Sequence, residues 1–255
     1  MFLVDIGNSR IKWAVSIDGE FSSLGEAEYV AKELDVQLDV LWSVIEKPHL
    51  VAISSVAPPR VIKAINAWVE KNWASDIHIV KSLDRFAGLV NGYVEPGRLG
   101  VDRWLSMLAV FEGVKPETPF CVVDCGSAIT VDVVAADGQH LGGMIVPGLS
   151  MMRSALVKGT SGIRLKDELP VEVSLLARDT EGAVTGGTLY SAVSMIDRVC
   201  TDIVSSQGEA TQFFITGGDA PMLIPLLEYE FEYDANLVLN GLLIAANSME
   251  HEVVV

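Results

Sequence analysis

The sequence predicts an α/β protein with two related lobes, each built on a mixed sheet, that hold a ligand between them. One observation behind this prediction is a repeat. An apolar run followed by Asp-x-Gly and small residues occurs at Asp5–Ser9 and again, 119 residues later, at Asp124–Ala128. A second observation is an Asp-Gly pair thirteen residues beyond each aspartate, at Asp18-Gly19 and Asp137-Gly138. Each half is therefore expected to contain a strand, a tight turn, a returning strand and a hairpin turn.

The first half is predicted to be a three-stranded meander followed by alternating strands and helices. Apolar residues at spacings of three and four indicate the helices. Pro58 and Pro59 end the strand before the first helix, because proline cannot donate to a sheet. A Gly/Pro loop at 91–100 leads into the second helix. The predicted elements are strands at 2–6, 10–17, 20–30, 50–54 and 77–80 and helices at 61–73 and 101–111.

The second half is predicted to repeat the meander and then to form a long helix. Pro147 and Gly148 end its third strand, and Asp179 is suited to cap the long helix. The polar, turn-rich stretch 112–119 separates the halves, so we expect an N-terminal lobe at 1–115 and a C-terminal lobe at 116–255. The predicted elements are strands at 120–123, 130–135, 141–146, 212–216 and 229–233 and helices at 180–205, 221–227 and 240–249.

Composition and charge argue against nucleic acids and membranes as binding partners. Half of the 255 residues are apolar, and the formal net charge is −16. A chain this acidic repels nucleic acid unless it has a concentrated basic patch, and the sequence has none. No apolar run approaches a membrane span, and no secretory signal pattern precedes the first strand. We therefore expect a cytoplasmic protein with no nucleic-acid or membrane partner, and the cysteines Cys121, Cys125 and Cys200 suit a reducing compartment.

The first copy of the repeat, Asp5–Lys12, is a candidate phosphate site. Its glycine lets the backbone turn tightly and approach a ligand, while Asn8, Ser9 and Lys12 can reach phosphate oxygens. Asp5 would face phosphate through a bridging Mg²⁺. For either copy alone, an ordinary β-turn in which the aspartate bonds to its own backbone is an alternative. The occurrence of the pattern twice favours phosphate binding.

The second copy, Asp124–Asp132, lacks a lysine and would hold phosphate with backbone amides and the Ser127 hydroxyl. The Asp124 carboxylate could instead coordinate a cation. Thr130 and Asp132 point to one face of the returning strand, since strand side chains alternate with a period of two. A solvated strand face explains that pair equally well.

Two further stretches carry chemical groups. Asp102 and Arg103 stand side by side at the start of a predicted helix, where one could accept a proton and the other bind an anionic substrate group. Helix capping alone would also explain an aspartate at that place. Thr216–Asp219 has paired glycines at a strand end, against which a flat base could pack, although ordinary strand-to-helix turns use the same residues.

Seven ordered motifs resemble those of the type III pantothenate kinases, and the resemblance runs from Met1 to about Gly241. These kinases belong to the superfamily of acetate and sugar kinases, heat-shock chaperones and actin. The resemblance implies two ribonuclease H-like lobes with mixed sheets, an actin-like ATPase fold with ATP between the lobes. It also implies ATP-dependent phosphorylation of pantothenate to 4'-phosphopantothenate, the first step towards coenzyme A. The motifs are DIGNSRIKW, SSVAPP, YVEPGRLGVDRW, DCGSAITVD, GGMIVPG, DTEGAVTGG and ITGGDA.

The resemblance also implies a role for individual residues. Asp102 is the implied general base, and Asp124 is implied to hold a monovalent cation, K⁺ or NH₄⁺. The family is homodimeric, and its long helix takes part in the interface, which would explain the helical pair Gly186-Gly187. Ser9 and Ser127 stand where threonine is common and keep the hydroxyl. The implied ATP contacts are Asp5, Ile6, Gly7, Asn8, Ser9, Arg10, Ile11, Lys12 and Ser127, and the implied pantothenate contacts are Tyr93, Gly100, Val101, Asp102, Arg103 and Thr180.

Three other functions are compatible with parts of the pattern. The main alternative is a regulatory protein like the Bvg accessory factors, with vestigial or secondary kinase activity, but the intact Asp102-Arg103 pair and the two hydroxyl-bearing loops favour a kinase. A sugar or acid kinase of the same superfamily is disfavoured by the segment Tyr93–Arg103. A protein that clamps ATP without transferring phosphate is the third.

Overall fold

The structure, a computed structural model, describes residues 1–115, 117–165 and 176–252. It divides into two units, of which the first contains Met1–Val114 and the chain from Asn236 onward, and the second contains Lys115–Ala235. The sequence alone assigned the final helix to the C-terminal lobe. That helix instead packs within the first unit, because its apolar side chains cover a helix and strands of that unit.

Within the described ranges the chain forms twelve strands and seven α-helices. The strands are β1 Phe2–Ile6, β2 Arg10–Ile17, β3 Glu20–Glu28, β4 Leu50–Ser55, β5 Asp76–Ile79, β6 Arg85–Phe86, β7 Leu89–Val90, β8 Phe120–Cys125, β9 Ala128–Val134, β10 His140–Pro147, β11 Gln212–Thr216 and β12 Glu232–Tyr233. The helices are α1 Leu34–Trp42, α2 Pro59–Asn72, α3 Val101–Gly113, α4 Leu149–Gly159, α5 Thr180–Gln207, α6 Ala220–Leu223 and α7 Leu237–Glu252.

The sheet of the first unit has the order β3-β2-β1-β4-β5. Strands β1 to β3 form the predicted antiparallel meander, whereas β4 pairs parallel with β1, and β5 pairs parallel with β4. The turn between β2 and β3 has φ values of 52° at Asp18 and 82° at Gly19. Positive φ at both central residues is the backbone of a tight hairpin turn, as the Asp-Gly pair predicts.

An aromatic cluster fills one side of this sheet. The Trp42 ring of α1 contacts the rings of Phe2, Trp13, Trp68 and Trp73, with centroids 5.1 to 6.1 Å apart. Most of these contacts are edge-to-face, which is the geometry that aromatic quadrupoles prefer. Burial of such large rings fixes β1 and β2, and therefore fixes the two ends of the loop that joins them.

The helices α3 and α7 pack closely against each other in the first unit. A side chain at Gly241 of α7 would collide with the backbone of Leu105 in α3, so only glycine permits this approach. The contact holds the N-terminal turn of α3, which carries Asp102, against the rest of the unit.

The sheet of the second unit repeats the first, with the order β10-β9-β8-β11-β12. Strands β8 to β10 are antiparallel, and β11 and β12 continue the sheet in parallel with β8. The long helix α5 covers one face, where Ile196 and Cys200 join a core with Cys121 and Val131. Asp179 caps α5, accepting a hydrogen bond of 2.8 Å from the backbone N–H of Gly182, as the sequence predicts.

The three cysteines are free and buried. Burial raises the pKa of the Cys200 thiol to about 12 and raises those of Cys121 and Cys125 as well, so these thiols are not reactive. Among the described residues, no helix combines the length and hydropathy that crossing a bilayer requires.

Candidate functional site

The first loop, Gly7–Ser9, joins β1 to β2 in the first unit. The backbone N–H of Gly7 donates to the carbonyl of Arg10 at 2.9 Å, which closes the hairpin, and Asn8 and Ser9 are exposed. Ile6 and Ile11, on either side, are buried in the aromatic core. Any contribution of these two isoleucines to ligand binding is therefore made by their backbone atoms.

Asp5 lies at the end of β1 between two polar neighbours. In the sheet register it faces Lys12 on β2 and Ser54 on β4, and the Ser54 hydroxyl donates to its Oδ1 at 2.9 Å. Burial raises the pKa of the Asp5 carboxyl to about 7; the Ser54 hydrogen bond and the Lys12 charge oppose this rise, and the negative charge of Asp102 adds to it. Asp5 and Asp102 are thus close enough to interact, although 97 positions separate them in the sequence.

This pair of carboxylates is suited to a divalent cation. Mg²⁺ is commonly bound by one or two carboxylates together with substrate phosphates and water. The raised pKa shows that the charge of Asp5 is incompletely compensated by the protein, and a divalent cation would supply the missing compensation. In the part of the chain that the structure describes, no group of three or more His, Cys, Asp or Glu side chains forms a metal cluster. Mg²⁺ that arrives with a nucleotide needs as few as one protein carboxylate, which Asp5 can supply while Asp102 stays available for another role.

Asp102 and Arg103 occupy the first turn of α3. Asp102 Oδ1 accepts from the backbone N–H of Arg103 at 2.8 Å, and a Cβ atom at Gly100 would lie only 2.5 Å from that oxygen. Arg103 is buried, and its Nη1 donates to the Tyr93 hydroxyl at 2.8 Å. Its guanidinium carbon lies 5.6 Å from the Tyr93 ring centroid. Val101 is buried beside them. The structure thus brings Tyr93 and Arg103 together, and both belong to the predicted substrate segment.

Asn91 organises the loop before α3, and the sequence analysis did not identify it. Its side-chain amide donates to the carbonyls of Leu83 and Pro96 at 3.0 and 3.1 Å, and its Oδ1 accepts from the Tyr93 N–H at 3.0 Å. Ser82 adds a hydrogen bond of 2.8 Å to the Leu99 carbonyl. An Asn-Gly pair in a loop is a usual turn signal, so only the three-dimensional contacts reveal that Asn91 positions Tyr93.

The second loop has different neighbours. Asp124, at the end of β8, faces Thr130 on β9 and Thr216 on β11 in the register. In the sequence alignment of the repeat, Val131 corresponds to Lys12. In the sheet, Thr130 occupies that place, because the second hairpin loop is one residue shorter. The second aspartate therefore keeps a hydroxyl neighbour at the position of Ser54 and has no lysine opposite it.

Glycines pack tightly around Asp124 and Ser127. Gly217 has a φ of 96°, and a Cβ atom there would lie 2.6 Å from Asp124 Oδ1. The backbone N–H of Gly148 donates to the Ser127 carbonyl at 3.1 Å, while Ser127 itself is exposed. Gly217, the first of the paired glycines after β11, thus packs against the second loop and its carboxylate.

A buried hydrogen-bonded pair of His140 and Asp132 in the second unit was missed by the sequence analysis. His140 Nε2 and Asp132 Oδ1 are 2.9 Å apart, and both residues are almost completely buried. Asp132 therefore does not lie on a solvated strand face. The two residues come from neighbouring strands, β9 and β10, and a bulge after His140 makes their positions impossible to derive from simple alternation.

Two further residues predicted to contact a substrate, Arg10 and Thr180, are exposed. The Arg10 guanidinium pairs with Glu26 and Glu28 of β3 at 3.3 and 3.1 Å. Exposed pairs of this kind contribute less than about 1 kcal/mol, so a phosphate can displace them. Thr180 is exposed at the first position of α5, in the second unit.

Comparison with known proteins identifies a single family. The model of the type III pantothenate kinase family matches residues 1–202. A type III pantothenate kinase from Nitrosococcus oceani is 40% identical over 245 residues, covering 95% of this chain and 92% of the relative. One from Alcanivorax borkumensis is 34% identical over 243 residues, covering 95% and 96%.

Solved structures show the fold. A Baf family protein from Campylobacter jejuni, described as a proposed transcriptional activator, has a TM-score of 0.62 at 21% identity and covers 97% of this chain and 99% of its own. MreB 5 of Spiroplasma citri bound to AMPPNP has a TM-score of 0.54 at 10% identity, covering 99% and 97%. At these identities the likeness concerns the fold alone, which is that of the actin-like ATPases.

The Asp5 carboxyl should make stability depend on pH. Its pKa is raised in the folded state, so the folded protein holds the proton more tightly, and the free energy of unfolding falls as pH rises from about 4 to about 7. Asp5→Asn keeps an acceptor for Ser54 and cannot ionise. We expect its free energy of unfolding, relative to that of wild type, to be about 2 kcal/mol higher at pH 8 than at pH 5.5. Urea unfolding at both pH values measures this. The exposed Asp76→Asn serves as the control, and a gain for Asp5→Asn that is equal at both pH values would contradict the assignment.

Proposed function

Because the chain belongs to the type III pantothenate kinase family and is an ATP-dependent kinase of pantothenate in coenzyme A biosynthesis, we propose that Asp102 is its general base. The observation that supports this role is the position of Asp102, half-buried in the first turn of α3 and close enough to Asp5 to raise the pKa of that carboxyl. A base and a carboxylate suited to Mg²⁺ thus lie within one unit.

The reaction asks for positioning and charge neutralisation more than for a strong base. The pantothenate hydroxyl oxygen forms a bond to the γ-phosphorus while the bond to the ADP oxygen breaks. In a loose transition state the hydroxyl loses its proton late. Asp102 orients this hydroxyl and accepts the proton. The hydrogen bond from the Arg103 N–H fixes the carboxylate for this task.

The nucleotide is assigned to the two Asp-x-Gly loops. In the first, Gly7, Asn8, Ser9 and Arg10 offer backbone and side-chain donors, and Lys12 adds a positive charge. Asp5 would hold Mg²⁺, which neutralises phosphate charge when bound. Ser127 would contact ATP from the second loop.

The monovalent cation is assigned to Asp124. This carboxylate has hydroxyl-bearing residues as register neighbours on both sides and no lysine opposite it. K⁺ or NH₄⁺ would supply the positive charge that Lys12 supplies in the first loop.

Pantothenate is assigned to the segment before α3 and its first turn. Arg103 can bind an anionic group of the substrate while Tyr93 holds its guanidinium by a hydrogen bond. Gly100 and Val101 would present backbone beside the substrate, and Thr180 would contribute a hydroxyl from α5.

We assign a homodimer and a cytoplasmic location as further parts of this proposal. The exposed face of α5 includes Ala183, Gly187 and Ser191, which are small residues at helical spacing. Beyond its own stretch of helix, a Cβ atom at Gly187 would meet no atom of residues 1–115, 117–165 or 176–252 within 4 Å. A second backbone could therefore approach α5 closely at this place.

A regulatory function like that of the Bvg accessory factors is not favoured. The two relatives described above are named type III pantothenate kinases, and this chain matches them over 92% and 96% of their lengths. The Campylobacter jejuni protein shares the fold but is too distant to transfer a function.

Activity tests the proposal directly. Purified protein with ATP, Mg²⁺, K⁺ and pantothenate should form 4'-phosphopantothenate, detected by mass spectrometry. We expect Asp102→Asn to lower kcat by roughly 10²–10⁴-fold, because the amide cannot accept the proton. Binding of Mg-ADP, measured by calorimetry, should survive. Asp84→Asn, an exposed change in the same unit, is the control. An active Asp102→Asn enzyme would exclude Asp102 as the base.

Asp124→Ala should weaken activation by K⁺. Removing the carboxylate removes the cation's ligand, so the K⁺ concentration for half-maximal activity should rise roughly tenfold or more. The matched variant is Ser127→Ala in the same loop, which should raise the KM for ATP and leave the K⁺ requirement as it is. An unchanged K⁺ dependence in Asp124→Ala would argue against the cation site.

Gly187→Leu should dissociate the dimer without unfolding the chain. An added Cβ atom meets open space among the described residues, and leucine improves helix propensity by up to about 1 kcal/mol, but its side chain would obstruct a close helix contact. Light scattering after gel filtration should change from twice the chain mass to 27.5 kDa. Lys63→Leu, exposed on α2, is the control. A Gly187→Leu protein that remains dimeric would exclude this face as the interface.

A further inference from the structure

Tyr29, the residue after β3, binds three successive carbonyl oxygens of the first loop. Its phenolic oxygen lies 3.0 Å from Gly7 O and 3.3 Å from Asn8 O, so its one hydrogen is shared between the two carbonyls. Its backbone N–H donates to Ser9 O at 3.3 Å. Tyr29 thus donates hydrogen bonds to the carbonyl groups of all three loop residues.

These hydrogen bonds set the direction of the loop's amide groups. In a trans peptide the C=O and N–H bonds point in opposite directions, and the described residues contain no cis peptide. The three bound carbonyls share their peptides with the N–H groups of Asn8, Ser9 and Arg10. Those N–H groups therefore point away from Tyr29. The loop has its oxygen atoms on the side of Tyr29 and its donors on the other side.

This division matters for an anionic ligand. Successive backbone N–H groups that point the same way form an anion-binding concavity, whereas a carbonyl oxygen turned towards phosphate repels it. Asn8 and Ser9 are exposed, so packing does little to hold their peptides in this orientation. The contacts with Tyr29 hold the carbonyls of these peptides directly.

Tyr29 is itself held firmly enough to act on the loop. Its ring packs against the aromatic core of the first unit. Burial raises the pKa of its phenol above the usual value, and the positive charge of Arg60 opposes this rise. The hydroxyl is consequently protonated at neutral pH and available as a donor.

We propose that Tyr29 is a positioning residue for ATP, which holds the carbonyls of Gly7 and Asn8 away from the phosphates and thereby presents the loop amides to them. This inference rests on the proposed function, in which the first loop binds ATP. It adds a residue outside the loop and outside the seven motifs. Tyr29 does not touch the substrate and acts through the loop.

Tyr29→Phe tests the proposal, because it removes the hydroxyl and keeps the ring and the backbone N–H. We expect the KM for ATP to rise roughly three- to tenfold, as the loss of one shared hydrogen bond of ordinary strength implies. The kcat and the KM for pantothenate should stay within about twofold. Calorimetric binding of Mg-ADP should weaken by a similar factor to the KM for ATP.

Tyr229→Phe is the matched control. Its hydroxyl also makes a side-chain hydrogen bond, to Thr201 Oγ1 at 3.1 Å in the second unit, and its ring also packs on a core. This variant should leave both KM values as they are. If Tyr29 were merely structural, Tyr29→Phe would lower the thermal midpoint and affect both substrates alike, and this result would overturn the proposal. An unchanged KM for ATP, or failure of so conservative a variant to fold, would also overturn it.

The two proposals fail separately. If wild type forms no phosphopantothenate, the assignment of the reaction fails, and Mg-ADP binding to wild type and Tyr29→Phe still tests the role of Tyr29. If wild type is active and Tyr29→Phe has the same affinity for nucleotide, only the role of Tyr29 is wrong.

Discussion

The parallel pairing of β1 with β4 determines where chemistry can occur in the first unit. Its register places Ser54 beside Asp5, and its continuation binds the Val56 N–H to the Ile6 carbonyl at 3.1 Å, where the chain leaves the sheet. A carboxylate at the end of a central strand is removed from water on several sides, so its charge is disfavoured. The aromatic cluster below makes this placement rigid. A buried charge that the protein only partly compensates is then available to a cation.

An aspartate near the end of a central strand occurs in both units, but its neighbours on the adjacent strands differ. In the first unit, Lys12 lies opposite the aspartate and Ser54 lies beside it. In the second, Thr130 and Thr216 take those places. A hydroxyl neighbour is common to both, whereas the strand residue opposite the aspartate is a lysine in the first and a threonine in the second. In the sequence alignment the counterpart of Lys12 is the apolar Val131. In the sheet register its counterpart is Thr130, which carries a hydroxyl. Loss of one residue from the hairpin loop is the physical cause.

Much of the fold could be predicted because its signals are local. Alternating strands, two Asp-Gly turns and the cap at Asp179 are each decided within a few residues. Helix α1 was missed because Val36 and Val40 are exposed, which obscures the apolar stripe of Leu34, Leu38 and Trp42. Helix α4 was missed as well, and of the predicted strand at 229–233 only β12 is present, since neighbouring strands decide such short pairings. The place of α7 could not be predicted, because the fit of Gly241 against Leu105 is a contact between distant segments.

The candidate site divides in the same way between local and distant contacts. The residue types of the loops and of the Asp102-Arg103 pair are visible in the sequence, since each is a short motif. What makes them a site comes from other segments: Asp102 beside Asp5, Asn91 holding Tyr93, and Tyr29 turning the carbonyls of the first loop. Glycine makes a phosphate loop possible by removing side chains, but the same freedom lets its peptides turn either way. In our proposal, a partner that binds the carbonyls of this loop leaves its amides to the ligand. That partner lies one strand away in the sheet and twenty residues along the chain from Ser9, where no loop motif includes it.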